Sequence, residues 1–392
     1  SGVISEMIQM PSFIDYMKVR GSFSSVGMPY PRNLTSPTYE YNEATQSWKP
    51  KTHYPIGDLK PERTDSWEVG LDMKLFKDFN LGLSWYLANT FNQTFDPQIS
   101  VSSGYTTIYL QTGYVRNTGL ELSLGYGHTW NNNFRWDSNF TLSHNKNKIK
   151  ELVRDYVHPE TGELINKDRL DVGGLGKARF ILKEGGTLGD LYTQSDLKRD
   201  DNGMVDIDPT GIVAIENNLP DIKLGSVFPK ANLAWSNHFS WKGISLSALF
   251  TARIGGIVYS ATEAAMDQYG VSERSALARD NGGVLVNNRT LVDAQNYYTT
   301  IGSESGLPQY YTYNATNVRL QEASIGYLIP RKWLGNVCDI QVSVIGRNLW
   351  MIYNKAPFDP ESVATTDNYY QGIDYFMLPS TRNIGFNVKI NF

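Results

Sequence analysis

The feature that most constrains this chain is a period-two alternation of apolar and polar residues, which recurs from near Tyr16 to the C-terminus. In TDSWEVGLDMKLF, every second residue from Trp67 to Leu75 is apolar, and the residues between them are Glu, Gly, Asp and Lys. Because successive side chains of a strand point to opposite faces, this pattern predicts strands with one apolar and one polar face. The closing stretch NIGFNVKINF predicts a final strand of the same kind, ending on Phe392.

Ten such segments can be counted, and the links between them alternate between short and long. The short links lie near 77–79, 131–133, 242–243 and 330–335, and the long ones near 28–63, 93–114, 148–228, 260–313 and 351–380. Strict alternation places all short turns on one rim of an antiparallel sheet and all long loops on the other. No linker divides the chain, so residues 1–392 are predicted to form one unit without a separate domain boundary.

A two-sheet sandwich would alternate in the same way, so strand length has to decide between the two architectures. Most segments reach the 9–11 residues or so that cross a bilayer at a tilt, whereas sandwich strands usually have about 5–6. Tryptophans such as Trp67 and Trp85 lie near strand ends, as in the aromatic girdles of membrane barrels, although core filling in a soluble β protein also explains them. We therefore predict an all-β fold, a transmembrane antiparallel barrel with about ten strands present.

Charge and composition exclude several other functions. A formal net charge of −4 provides no basic field for nucleic acid, and Cys338 is the single cysteine, so an internal disulfide is impossible. The neighbouring carboxylates Glu62 with Asp65, and Asp200 with Asp201, have no base, nucleophile or oxyanion donor beside them in sequence. The chain is therefore not predicted to be an enzyme.

The stretch KRDDNGMVDIDPTG, which begins at Lys198, has the composition of a calcium loop. If Gly203 took the turn position, however, the first ligand position would fall on Lys198, which cannot coordinate a cation. No cofactor or metal is therefore predicted. If calcium does bind here, the candidate oxygens belong to Asp200, Asn202, Asp206 and Asp208.

Several blocks resemble a known family. DLKPERTDSWEVGLDMKLF resembles the barrel signature of TonB-dependent outer-membrane transporters, and GYVRNTGLELSL, KLGSVFPKANLAWSNHFSWKGISLSALF, NVRLQEASIGYLIP and VIGRNLW resemble its SusC/RagA branch. The final alternating strand with its terminal Phe392 is similar to the signal that the barrel-assembly machinery reads. The resemblance runs from about Tyr16 to Phe392.

This resemblance implies outer-membrane import of oligosaccharide or peptide nutrients in a Gram-negative bacterium, energised through TonB, beneath a SusD-like surface lipoprotein. It also implies a barrel of about 22 strands around an N-terminal plug, and ten strands are too few to enclose a plug. The plug, the TonB-contacting segment and about half of the barrel are absent from the sequence. We therefore interpret the chain as the C-terminal portion of that barrel, embedded in outer-membrane lipid, with TonB reached through the missing part.

Two groups of residues are candidates for function. The first occupies the polar register of the strands and is expected to face a wet lumen, where a self-compensating charge lattice or plug docking is an alternative to substrate contact: Glu68, Asp72, Glu121, Arg135, Asp137, Arg253 and Arg347. The second group consists of loop aromatics expected to contact the substrate or the lid: Tyr297, Tyr298, Tyr310, Tyr311, Tyr313, Tyr369, Tyr370, Tyr375 and Phe376.

Two other functions stay open at this point. A non-transporting outer-membrane barrel, such as an adhesin or assembly protein, would be narrow and filled with side chains, which conflicts with the many Gly, Ser and Asn residues in the polar register. A secreted carbohydrate-binding β protein or glycosidase would need a compact core or a pair of carboxylates about 5–10 Å apart. The sequence does not distinguish glycan from peptide as the solute.

Overall fold

The computed structural model describes residues 1–29, 40–49, 53–54, 60–95, 105, 107–157, 164–335, 337–365 and 370–391. Ten long strands and the two-residue strand Gly2–Val3 form one 11-stranded sheet. The long strands are β1 (Ile14–Met28), β2 (Glu62–Leu75), β3 (Phe79–Phe95), β4 (Leu110–Thr129), β5 (Arg135–Glu151), β6 (Ala231–Trp241), β7 (Ile244–Ile254), β8 (Asn317–Ile329), β9 (Asp339–Asn354) and β10 (Asn383–Asn391).

The strand order in the sheet follows the chain order, and every neighbouring pair is antiparallel. The tightest turn joins β6 to β7 through Lys242 and Gly243, which have φ of 47° and 88°. Two central residues with positive φ match the right-handed twist of the strands they join, and glycine adopts this conformation without steric cost. The predicted strands, and the alternation of short and long links, are confirmed.

The register separates the two faces of the sheet. Leu71, Leu83, Leu122 and Leu142 pair in succession across β2 to β5, whereas the adjacent row contains Gly70, Ser84, Glu121 and Ser143. The apolar face is turned outward: Val69 is 54% exposed, Trp85 42% and Trp235 46%. These side chains are not packed against one another in a core, as they would be in a sandwich.

The sheet is open in the described part of the chain. β10 pairs only with β9, and all its residues are exposed. Pairing of the last strand on both of its edges, which a closed barrel requires, is therefore not observed within residues 383–391. Phe392, the expected assembly signal, lies outside the described residues.

The long loops fold into a second layer, which we call the loop body: the described parts of 152–228, 255–316 and 355–376. It contains short strands and the helices α2 (Ala261–Gln268), α3 (Glu273–Asp280) and α4 (Ala294–Gly302), while α1 (Ile4–Met7) lies before β1. The short strands of the loop body are Val153–Val157, Leu164–Lys167, Arg169–Leu175, Ala178–Lys183, Asp190–Thr193, Asp196–Leu197, Ile215–Glu216, Ile222–Ser226, Ile257–Ser260, Val284–Val286, Thr290–Val292, Thr312–Asn314 and Ile373–Asp374. Four more lie in other loops: Glu40–Asn42, Ser47–Lys49, His53–Tyr54 and Thr107–Ile108.

The main buried core lies in this loop body and not between the long strands. Phe180, Leu191, Leu307 and Tyr311 have no solvent exposure. Each of the three helices begins at a side chain that caps a free backbone N–H, as when the Ser260 hydroxyl accepts from the N–H of Glu263. None of the helices in the described ranges has the length and apolar character needed to cross a membrane.

Candidate functional site

The polar face of the sheet curves around an open cavity of about 1120 Å³. Its lining comes from all strands between β1 and β8, and includes Arg20, Asp72, Glu121 and Arg253. A second cavity of about 460 Å³ continues from it between Asn80 and Glu322. The lining combines inward polar side chains with neighbouring residues such as Leu81 and Leu122, and the cavity is large enough for a solute of several sugar or amino-acid units. We call the inward face of the sheet around this cavity the inner wall.

The charges of this inner wall are largely paired with one another. Arg20 forms ion pairs with both Glu68 and Asp72, and it donates to the Ser84 hydroxyl. Arg20 was not among the predicted residues, although it shares the alternating polar register of YMKVRGSFSSVG. The sequence therefore assigns Arg20 to the polar face, but only the cross-strand register shows that two carboxylates of β2 contact its guanidinium.

The remaining predicted wall residues divide into paired and unpaired groups. Arg135 donates two hydrogen bonds to Asp137, at 2.6 and 2.7 Å. Arg347 Nε lies 2.8 Å from Glu322 Oε2, and Arg253 donates to the backbone oxygen of Val227 at 2.7 Å. Glu121 lines the larger cavity and forms no ion pair with any described residue. The wall is therefore mostly self-compensated, and Glu121 is the carboxylate open to a bound cationic group.

A buried ion-pair cluster joins the inner wall to the loop body. Arg319 of β8 is 4% exposed, and its Nη2 lies 2.8 Å from Asp359 Oδ1 and 3.1 Å from Glu361 Oε2. Burial alone would raise the pKa of Asp359, but hydrogen bonds from Arg319 and from the backbone outweigh it, so this pKa is lowered. No local pattern in the sequence indicates this cluster, because its members come from β8 and from a loop 40 residues away.

The structure corrects one of the predicted loop contacts. Tyr311 has no exposed surface, its hydroxyl donates to Asp267 Oδ2 at 2.9 Å, and Arg274 lies 4.7 Å from its ring centroid. Because the ring is buried beside α2, it offers no surface to a substrate or lid, and its hydroxyl is satisfied by Asp267, as buried phenols usually are.

The other tyrosines of that cluster are half-buried. Tyr297 and Tyr310 line a small cavity of about 300 Å³ together with Arg199 and Asn287. Burial raises the pKa of Tyr297 to about 12, so its phenol stays protonated. Tyr298 donates to the backbone of α3, and the ring of Tyr313 meets Phe358 at 5.8 Å between centroids. Their main contacts are within the loop body.

The second predicted aromatic cluster is exposed. Tyr370, Tyr375 and Phe376 are 41%, 52% and 61% exposed, and the rings of Tyr375 and Phe376 lie 5.2 Å apart in an edge-to-face arrangement. The backbone N–H of Phe376 donates to the Thr262 hydroxyl at 2.7 Å, which ties the pair to α2. Tyr369 lies outside the described residues. Among the described residues of the two predicted aromatic clusters, the pair Tyr375 and Phe376 is the most open to contact with another molecule.

Three of the four candidate calcium ligands form contacts within the loop body. Asp200 accepts from the backbone N–H of Asn202 and Met204, Asp206 pairs with Lys198 at 2.9 Å, and Asp208 accepts from Thr210 and Ile212. Within the described ranges no group of three or more His, Cys, Asp or Glu is arranged to hold a metal ion. Asp200 and Asp208 each stabilise a tight turn at the surface of the loop body.

Comparisons with known proteins agree with this architecture. A family model described as TonB dependent receptor-like, beta-barrel matches residues 12–349. Among curated relatives from Formosa agariphila, "TonB-dependent receptor P3" is 25% identical over 372 residues, covering 86% of this chain and 35% of the relative. "TonB-dependent receptor P26" is 24% identical over 362 residues, with the same coverage.

Solved structures of the RagAB peptide transporter share the fold. One gives a TM-score of 0.72 at 18% identity, covering 99% of this chain and 42% of that one. The closed-closed state of the RagAB peptide importer gives 0.71 at 18% identity, covering 100% and 42%. The chain therefore spans about a third of the length of its curated relatives.

Proposed function

Because the chain belongs to the TonB-dependent receptor-like β-barrel family, we propose that it forms part of the wall of an outer-membrane importer of oligosaccharide or peptide nutrients. The observation that carries this proposal is the separation of the two faces. An exposed apolar belt covers the outside, and a polar wall around a cavity of about 1120 Å³ covers the inside. The apolar outer surface is suited to contact with hydrocarbon, and the polar inner surface is suited to contact with a hydrated solute.

We further propose that import is energised through TonB and gated by a SusD-like lipoprotein over the loop rim. The likeness to RagAB supports a two-part importer by analogy of fold. The exposed pair Tyr375 and Phe376 offers a contact for such a lid or for the solute, since exposed aromatic rings anchor protein partners and stack on sugars. In this role the wall residues hold and orient a solute without changing its covalent structure. The candidate calcium ligands between Asp200 and Asp208 lie outside the lining of the cavity.

The direct test is uptake by cells that carry the protein as its own gene encodes it. We expect deletion of the gene to abolish uptake of either fluorescent oligosaccharides or fluorescent peptides, and a protonophore to reduce the same uptake in the parent strain. Unchanged uptake of both solute classes after deletion would contradict the proposal. Loss of surface adhesion with intact uptake would instead favour a non-transporting barrel.

The aromatic pair allows the lid and solute roles to be separated. Replacing both Tyr375 and Phe376 by Ala is expected to reduce co-purification of the lipoprotein or affinity for the solute, by roughly 10-fold for anchors worth about 1–2 kcal/mol. Trp333→Ala serves as the control, because this ring is also exposed but lies in the short turn between β8 and β9, on the rim opposite the long loops. A double alanine variant with unchanged lid retention and unchanged solute affinity would remove this pair from the proposed site.

A further inference from the structure

The outer face of β5 changes from apolar to basic along its length. The outward residues of this strand, in order toward the loop rim, are Trp136, Ser138, Phe140, Leu142, His144, Lys146, Lys148 and Lys150. The residues between the lysines point inward: the Asn147 side chain accepts from the backbone N–H of Leu188 at 2.9 Å, and Ile149 is fully buried. The three lysines are exposed, so alternation places all three on the side of the sheet that carries the apolar belt.

A fourth cation lies beside them. Arg116 of β4 is the cross-strand partner of Lys148. Its Nε donates to Asn89 Oδ1 at 2.9 Å, and its guanidinium lies 5.7 Å from the ring centroid of Tyr114. These contacts fix the guanidinium on the outer face without neutralising it. We call Arg116, Lys146, Lys148 and Lys150 the basic band.

The charges of the basic band are not compensated by the described part of the chain. None of the four cations has a carboxylate oxygen of a described residue within 4.0 Å. Asp65 lies in the same cross-strand row as Arg116 and Lys148. Its carboxylate is already paired with Arg63 at 3.0 Å and accepts a hydrogen bond from the Ser25 hydroxyl at 2.6 Å. Four adjacent like charges repel one another, so an external anion would lower the electrostatic energy of this surface.

The position of the band indicates which anion. Lys146 lies four residues beyond Leu142, about 13 Å along a strand that rises about 3.3 Å per residue. At a strand tilt of about 40° this is roughly 10 Å of depth, within the reach of a lysine side chain to the headgroup layer above the apolar belt. The lysines are spaced about 7 Å apart along the strand, so separate side chains can meet separate phosphate oxygens.

We propose that the basic band binds the phosphate-bearing headgroups of lipids in the leaflet on the loop side of the barrel. This inference rests on the proposed insertion of the chain in the outer membrane. Lysine and arginine side chains would contact phosphate oxygens, while the acyl chains of the same lipid lie against Leu120, Leu142 and the other outward apolar residues. A fixed annular lipid would hold the barrel at a defined depth.

The test uses the protein as its gene encodes it, purified in detergent, with native mass spectrometry as the readout. Three probes are titrated separately: monophosphoryl lipid A, the same glycolipid after removal of its phosphate, and inorganic phosphate. We expect the phosphorylated lipid to bind tightest. Lys146→Gln/Lys148→Gln/Lys150→Gln is expected to weaken its binding on the order of 100-fold, from about fivefold per lysine near an anionic surface.

The matched control removes the same number of charges at the opposite rim. Lys77, Lys242 and Lys332 are exposed lysines at the short turns, and their triple Gln variant is expected to bind the phosphorylated lipid as the parent does. Both triple variants should retain the folded, heat-modifiable band of a barrel on a gel, which separates lost binding from lost folding.

Several results would overturn the proposal. Equal binding of the phosphorylated and dephosphorylated lipids would show that the basic band does not recognise phosphate. Preferential binding of inorganic phosphate would show that the ligand is not a lipid. Equal loss of affinity in both triple variants would exclude this band as the site. If the protein is an importer but fails these tests, only the lipid site is lost, whereas a protein that does not partition into membranes removes both proposals.

Discussion

The buried cluster around Arg319 provides a quantitative test of how the loop body is attached to the inner wall. Its Nη2 lies 2.8 Å from Asp359, with the two side chains 5% and 9% exposed. Arg347 and Glu322 have the same separation of 2.8 Å, but their side chains are 67% and 37% exposed. The two pairs share this shortest separation and differ in burial. Arg319 also reaches Asp359 through a second nitrogen and contacts Glu361, so Arg319→Met and Arg347→Met compare a buried cation that has several carboxylate contacts with an exposed cation that has one.

Removing one partner of a buried pair leaves the other charge uncompensated, which costs about 3–5 kcal/mol, whereas an exposed pair contributes about 0–1 kcal/mol. In Arg319→Met the carboxylates of Asp359 and Glu361 lose their buried cation. The segment 355–365 is then expected to open more readily. A difference of about 3 kcal/mol corresponds to opening that is roughly 150 times more frequent, and 1 kcal/mol to about fivefold.

Hydrogen–deuterium exchange measures this opening directly. The N–H of Ala364, which donates to the carbonyl of Ile373 at 2.9 Å, reports on the attachment of this loop. We expect exchange in the peptide around Ala364 to accelerate by about 100-fold or more in Arg319→Met and by no more than about fivefold in Arg347→Met. Equal acceleration in the two variants, or none in either, would refute the argument that burial decides the strength of these pairs.

Three further changes test other parts of the structure. Hydrogen bonds from Arg169 and Lys183 hold the pKa of Asp221 at about 2, although burial opposes this. An unfolded aspartate has a pKa of about 4, so the stability that this carboxylate provides is complete above about pH 4 and is lost as the pH falls toward 2. Pepsin should accordingly cut residues 164–226 faster at pH 2 than at pH 4, and Asp221→Asn should flatten this pH dependence; an unchanged profile would contradict the assignment. A Cβ on Gly119 would lie 2.1 Å from the Tyr86 ring, so Gly119→Val is expected to cost about 1–3 kcal/mol and to lower the yield of folded barrel on a gel, unlike substitution of the open Gly385; equal yields would show that the ring moves away freely. Tyr311→Phe removes the phenolic donor to the buried Asp267 and should cost about 1–3 kcal/mol in the opening of α2, measured by hydrogen exchange against Tyr375→Phe; protection equal to the parent would show that the hydrogen bond contributes nothing.

The long strands could be predicted because their physical cause is local. In a strand with one face toward an apolar medium and the other toward water, apolar and polar residues must alternate. The sequence alone therefore assigns the neighbours Leu71 and Asp72 to opposite faces. Turn chemistry at Lys242 and Gly243 is equally local. The alternation of short and long links then placed the turns and the loops on opposite rims without knowledge of any long-range contact.

The loop body could not be predicted in this way. In ARFILK, the consecutive residues Phe180, Ile181 and Leu182 are all fully buried, because the small sheet that contains them is covered on both faces, and a strand buried on both faces has no alternation. Tyr311 was expected at the surface because it belongs to a tyrosine-rich loop. Its burial depends on Asp267 and Arg274, which come from a distant part of the chain.

The inner wall could be predicted in part. The polar register of Glu68 and Asp72 followed from alternation, but their pairing with Arg20 needed the register between β1 and β2. Arg319 occupies a similar polar position in β8, and only the fold of the following loop brings Asp359 against it. Sequence periodicity thus assigns a side chain to a face, while its partners depend on contacts between separate strands and loops.

The central claim is that the outward, leucine-bearing face of the sheet contacts hydrocarbon and the inner face contacts water. In a Cys338→Ser background, which removes the one cysteine of these 392 residues, nitroxide labels are placed in turn at Leu81, Gly82, Leu83 and Ser84 of β3. The labels are compared in bilayers by power saturation with oxygen and with a polar nickel reagent. We expect oxygen to relax the labels at Leu81 and Leu83 more strongly, and nickel to relax those at Gly82 and Ser84 more strongly. Equal accessibility at all four positions, or the reverse alternation, would contradict it.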